Sequence, residues 1–224
     1  MAGQQDPSPL ELGHRLERDF FSEDVLDVAP ALLGATISHA GVTLRLTEVE
    51  AYAGTADPGS HAFRGPTPRT EVMFGAAGHL YVYFTYGMHW CANLVCGPEG
   101  EASAVLLRAG EVVAGEDVAA ARRTGVVRRD WARGPARLAT TLGLRGEQTG
   151  LDACARGGPV ALHAAPHPTP ARAIRTGPRV GVSGAGGEAA AYPWRFWLEG
   201  EPTVSVYRPA PNRPTTSRAR RHPA

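Results

Sequence analysis

From residue 42 to residue 52 the chain alternates in the manner of a strand. Leu44, Leu46, Glu48, Glu50 and Tyr52 share one parity, the period-2 pattern that gives a strand two distinct faces. If the leucines face a core, the two carboxylates point inward at the strand's far end. Buried carboxylates need partners or a task. Similar patterning predicts strands over residues 79–86, 90–96 and 102–108, a meander broken at Gly87 and at Gly97-Pro98-Glu99-Gly100. Helices are predicted over residues 116–123 and 135–142, the second opened by Pro135, which suits a first helical turn. Ser22 is a candidate cap for an earlier helix bearing Val25, Leu26, Leu32 and Leu33, with Pro30 disturbing its middle. Short strands around Val160, Val180, Phe196 and Val204 complete the set.

Between these elements, residues 53–70 have loop composition. Residues 1–17 read as a loose segment and residues 208–224, rich in Pro and Arg, as a flexible tail. What remains, residues 18–207, is predicted to be one α+β domain.

Composition narrows the setting. A chain of 224 residues suits one globular domain with a substantial core. No run of about 18 apolar residues occurs, so no transmembrane helix and no membrane partner are expected. The first 20 residues lack a basic region followed by an apolar one, and the 3 cysteines form no even-numbered framework. A cytoplasmic protein is expected.

Charge is informative in its distribution. The net charge is only +1, yet residues 122–137 carry six arginines against the single Asp130. The end of the chain adds Arg208, Arg213, Arg218, Arg220 and Arg221 without an acid. Such asymmetry allows a basic face for phosphates, although a solvated helix face and a tail would look the same. Every basic residue among the 23 is arginine. Schiff-base catalysis through a lysine amine is therefore excluded.

The candidate chemistry is concentrated in residues 50–93. Glu50, at a strand end beside Tyr52, could polarise a water as general base, or form a salt bridge, with Glu48 equally placed for either part. Tyr81 and Tyr83 share a parity and present their rings to one side of a sheet. Tyr86 precedes Gly87, so its ring could project from a hairpin tip and enter a base stack. His61 lies in a loop of small residues, where it could stack on a base or remain a plain surface group. Cys91, Cys96 and Cys154 cannot build a four-cysteine metal site, and neither standard glycine-rich phosphate loop occurs. No metal and no cofactor are expected.

Taken together, Thr47-Glu48-Val49-Glu50-Ala51-Tyr52, His61, the run from Leu80 through Tyr81-Val82-Tyr83-Phe84-Thr85-Tyr86-Gly87 to Met88, Asn93 and Val105-Leu106-Leu107-Arg108 closely resemble the alkyladenine (3-methyladenine) DNA glycosylase family. Gly134 to Leu138, Arg179 to Val182, Trp194 to Phe196 and Val204 to Val206 resemble family segments too. The resemblance implies a single mixed α+β domain around a curved antiparallel β-sheet, with a protruding β-hairpin and flanking helices. It implies a monomer, without cofactor, acting on double-stranded DNA that contains damaged purines, and so nucleoid-associated if bacterial. By position, Glu50 would activate the hydrolytic water, and Tyr52, His61 and Tyr83 would sandwich the extruded base. Asn93 would crowd the exocyclic amine of guanine. Tyr86 would fill the gap left in the duplex, with Met88 and Arg108 as further DNA contacts. One departure is visible: His89-Trp90 stands where the family often has an aromatic pair. Two other functions fit the same residues, a hydrolase of modified nucleosides and a non-catalytic binder of DNA lesions.

Overall fold

A computed structural model describes residues 10–85 and 87–210. Among them, eight strands form one antiparallel sheet and four helices flank it. The strands are β1 (Thr36–His39), β2 (Val42–Ala53), β3 (Leu80–Thr85), β4 (His89–Cys96), β5 (Ser103–Ala114), β6 (Val160–His163), β7 (Ile174–Gly177) and β8 (Arg195–Leu198). Their spatial order is β3-β4-β5-β2-β1-β6, with β8 pairing β2 and carrying β7 on its other edge. The helices are α1 (Arg18–Phe21), α2 (Val25–Ala31), α3 (Glu116–Arg122) and α4 (Pro135–Leu142). The fold is α+β, as the sequence predicts.

One face of the sheet is the core. Leu44, Leu46, Val49, Ala51, Leu80, Val82, Leu94, Val105 and Leu107 are buried in one cluster with Val25 and Val28 of α2 and Leu138 and Leu142 of α4. Each such side chain contributes about 1.5–3 kcal/mol on leaving water, so Leu138→Ala alone would cost about 2–5 kcal/mol. Helix α4 begins at Pro135 and ends at Gly143, whose φ of +75° closes the C-terminus in the left-handed region. No helix among the described residues is long and apolar enough to cross a membrane.

Several expectations shift. The cap of α2 is Asp24, whose carboxylate accepts from the Leu26 amide at 2.7 Å, whereas Ser22 terminates α1. An aspartate directly before the helix reaches the second amide, and Ser22 lies too far upstream to do so. The last residues of the segment read as loose are tied down: Leu16 is buried and its amide donates to Leu162 of β6. No strand forms at Val180 or Val204. The Val180 amide is spent on a carboxylate, and the Val204 carbonyl accepts from Arg133.

The parity of residues 42–52 also breaks. Leu46 pairs with Gly110 and Val49 with Leu107, with a register shift on either side of Glu48. Thr47 on β2 and Arg108 on β5 are the residues the ladder leaves over. This irregular step turns β2 over, so Leu44, Leu46, Val49 and Ala51 share the core face while Glu48, Glu50 and Tyr52 take the other. Bulges commonly re-aim side chains in this way.

Candidate active site

The face opposite the core carries a cavity of about 500 Å³, within the roughly 300–1,000 Å³ usual for small-ligand sites. Alternation supplies its walls. Tyr81 and Tyr83 point into it from β3, Cys91 and Asn93 from β4, Leu106 and Arg108 from β5, and Glu50 and Tyr52 from β2. The loop after β2 contributes Pro58 to His61, the start of α4 contributes Pro135 and Ala136, and residues 180–183 close the far side.

Glu50 is fully buried against this cavity. Tyr52 donates its hydroxyl to Oε2 at 2.9 Å, and the Val180 amide donates to Oε1 at 2.7 Å. Arg108 Nη1 lies 3.3 Å from Oε1. A carboxylate offers about four acceptor positions, so three donors leave room for one more, such as a water. Burial and the Glu50 charge together hold the Tyr52 phenol well above its ordinary range, which keeps it a donor.

Glu48 has a different environment. Arg108 Nε (2.9 Å) and Arg195 Nε (2.7 Å) reach Oε1, and the Ser205 amide (2.7 Å) reaches Oε2. Burial alone would raise this carboxyl, but the two guanidinium groups and the Ser205 amide outweigh it and hold it below the usual range. Its acceptors are filled by protein groups and it does not line the cavity.

The aromatic wall is built from stacked tyrosines. The rings of Tyr81 and Tyr83 lie 5.4 Å apart at 28°. His61 meets Tyr83 edge-on, with centroids 4.6 Å apart, and its Nδ1 lies 3.1 Å from the Tyr81 hydroxyl. Packing against these rings, with the Arg69 guanidinium nearby, pushes the imidazole down to about 4. The residue's outer edge is exposed, and solvent there limits the depression, but the ring is neutral at pH 7 in either case. Burial pushes the Tyr83 phenol up. Asn93, 4% exposed, donates from Nδ2 to the Tyr81 carbonyl at 2.9 Å, which fixes the amide in the wall.

Glu50, Tyr52, His61, Tyr81, Tyr83, Asn93 and Arg108, all singled out from the sequence, therefore meet at one cavity. Arg108, expected at the DNA, is 5% exposed and turned toward Glu48, Glu50 and Ser205. Met88 lies apart, 66% exposed on the turn between β3 and β4. Tyr86 lies outside the described residues. Sequence reasoning missed the Val180 amide and the buried Arg179–Asp57 pair beside the site. It noted the segment from Arg179 to Val182, but nothing local to that segment announces a partner 130 residues away.

Comparison with known proteins identifies the family. The model of the methylpurine-DNA glycosylase (MPG) family matches residues 19–202. A Streptomyces avermitilis protein is 56% identical over 86% of this chain and 92% of its own length. Proteins of Frankia casuarinae (52%, covering 88% of this chain and 94% of theirs) and Leifsonia xyli subsp. xyli (54%, covering 87% and 93%) are similarly related. All three bear the name "Putative 3-methyladenine DNA glycosylase". The family's members are hydrolases of N-glycosyl bonds. The chain belongs to the methylpurine-DNA glycosylase family.

Proposed function

We propose that this protein removes alkylated and deaminated purines from duplex DNA by hydrolysis, leaving an abasic site. The observation that carries the reading is Glu50: a buried carboxylate with one acceptor position to spare, at a cavity walled by stacked aromatic rings. A nucleotide rotated out of the duplex places its base among Tyr52, His61 and Tyr83. An electron-poor methylated purine is attracted to such rings by about 0.5–2 kcal/mol per good contact. Glu50 orients a water toward the anomeric carbon. The C1′–N bond breaks with its electron pair leaving on the base; a cationic methylated base departs neutral, and a neutral one such as hypoxanthine departs as an anion that takes a proton from water. The water oxygen bonds to C1′ and its proton passes to Glu50. The carboxylate also offsets oxocarbenium charge as it develops.

The remaining roles follow from position. Asn93 crowds the 2-amino group of guanine, and Tyr86 fills the gap in the duplex with Met88 beside it on the hairpin. Arg108 balances Glu48 and Glu50 and lies near the scissile bond. With no lysine in the chain, the reaction stops at the abasic site. The catalytic unit is residues 18–207, acting as a monomer on DNA.

The test is a duplex with a single ethenoadenine or hypoxanthine, incubated with protein and then heated in alkali. Strand breaks at the lesion, absent with Glu50→Gln, are the expected result. Retarded migration without breaks would make the protein a lesion binder. Release from free nucleosides alone would make it a nucleoside hydrolase.

A further inference from the structure

Arg179 is the largest fully buried side chain among the described residues, and it lies behind the cavity wall rather than in it. Its guanidinium forms a two-pronged pair with the fully buried Asp57, including Nη2 to Oδ1 at 2.7 Å. Nη1 also donates to the Ala51 carbonyl at 3.0 Å, and Nη2 to the Gly186 carbonyl at 2.7 Å. Its plane is caged by aromatic rings, with centroids at 4.5 Å for Tyr52, 5.3 Å for Trp194 and 5.4 Å for Tyr192. The approach is close enough that a Cβ at Gly59 would strike the guanidinium, and one at Gly186 would strike the Gly59 backbone. Nε remains buried without a partner.

A buried ion pair is weak evidence for stability, because desolvation offsets its attraction. The contacts of this one point elsewhere. Ala51 and Tyr52 directly follow Glu50, and the Tyr52 ring that Arg179 supports carries the hydroxyl that binds Glu50 Oε2. Val180, the next residue in the chain, supplies the amide that binds Oε1. Asp57 begins the loop that brings Pro58 to His61 to the cavity, and Gly186 lies on the loop that follows residues 180–183. One guanidinium thus joins the strand bearing the carboxylate to both segments that face it.

We propose that Arg179 is a positioning residue for Glu50, fixing two of the carboxylate's donors, the Tyr52 hydroxyl and the Val180 amide, in register with each other. This rests on the reading of Glu50 as the group that directs water. Lysine keeps the charge at position 179 but cannot bond Asp57, Ala51 and Gly186 at once while lying flat against Tyr52. The donors then lose alignment, and misplacement of about 1 Å costs on the order of 100-fold in a chemical step.

The experiment compares single-turnover base release at saturating enzyme with affinity for duplex DNA carrying a 2′-fluoro lesion nucleotide, which resists hydrolysis. Arg179→Lys is expected to slow release by about 10- to 100-fold while affinity stays close to that of the parent. Tyr192→Ala, which opens the cage without touching the cavity, is expected to give a smaller loss of the same kind and carries the test if the lysine variant does not fold. In a Tyr52→Phe background Arg179→Lys should cost less than it does alone, because one of the two donors that Arg179 aligns is already gone. Unchanged release in folded Arg179→Lys and Tyr192→Ala would overturn the proposal. So would rate and affinity falling together, as general loosening would make them. An active Glu50→Gln enzyme would instead overturn the reading of Glu50, and the proposal with it.

Discussion

Glu48 and Glu50 share one guanidinium: Arg108 Nε lies 2.9 Å from Glu48 Oε1 and its Nη1 3.3 Å from Glu50 Oε1. The two carboxylates, indistinguishable by spacing, are separated by their other partners. Glu48 is enclosed by Arg195 and Ser205, while Glu50 faces the cavity. Glu50→Gln should therefore slow base release by at least about 100-fold, as expected when a general base is removed, with lesion affinity nearly unchanged. Glu48→Gln should instead lower stability by about 3–5 kcal/mol, the usual effect of breaking a buried ion pair. Single-turnover kinetics and denaturant unfolding of both variants distinguish the two roles.

Acid should weaken the fold in two windows. His61 is depressed from 6.5 to about 4 in the folded protein, so the unfolded chain takes up its proton first. Its contribution is intact above pH 6.5 and is lost as pH falls toward about 4. Glu48 is held below its ordinary 4.5. Its contribution is intact above that value and is lost as pH falls through the lower, folded one. The melting temperature of His61→Gln should therefore vary less than the parent's between pH 7 and 4, and that of Glu48→Gln should vary less below it.

Asn93 is held by its bond to the Tyr81 carbonyl in the cavity wall. Asn93→Ser shortens the side chain and should admit a 2-amino group, so excision of normal guanine should rise relative to hypoxanthine. Losing the bond to Tyr81 should also cost about 1 kcal/mol of stability. Product analysis on matched duplexes reads the ratio directly, and an unchanged ratio would place discrimination elsewhere.

The end of the chain offers a separate test. Removing residues 211–224 takes away Arg213, Arg218, Arg220 and Arg221. Fewer released counterions should flatten the salt dependence of DNA binding, while single-turnover release at saturating enzyme stays the same. An equal salt slope with and without the segment would show that it does not touch phosphate.

The longer strands were legible as apolar and aromatic runs bounded by turn residues: β2, β3 and β4 lie close to where they are predicted, while β5 runs on to Ala114, six residues past its predicted end at Arg108. β1 (Thr36–His39) and β7 (Ile174–Gly177) were not, being four residues long, mixed in polarity and defined by the neighbours they pair with. Tyr81 and Tyr83 were legible from their shared parity, Asn93 and Arg108 only from the family resemblance, and the face taken by Glu50 was hidden by the register shift beside Glu48. Arg179 was not: its partner Asp57 is 122 residues away, and a buried arginine resembles a surface one until its carboxylate is found. Tyr86 lies outside the described residues, so its expected place on the hairpin rests on sequence alone.

The irregular step in β2 has a competitor inside the same register. Because Leu46 with Gly110 and Val49 with Leu107 are three residues apart on both strands, a regular ladder could pair Thr47 with Ala109 and Glu48 with Arg108, leaving nothing over. That ladder keeps every backbone bond but continues the parity of Leu44 and Leu46, delivering Glu48 and Glu50 into the apolar layer beneath α2 and α4. Uncompensated burial of the two charges would cost several kcal/mol. The carboxylates thus choose between two backbones, and the one they choose is the one that turns them toward the cavity. Replacing both with leucine would remove that choice and free the strand to run straight.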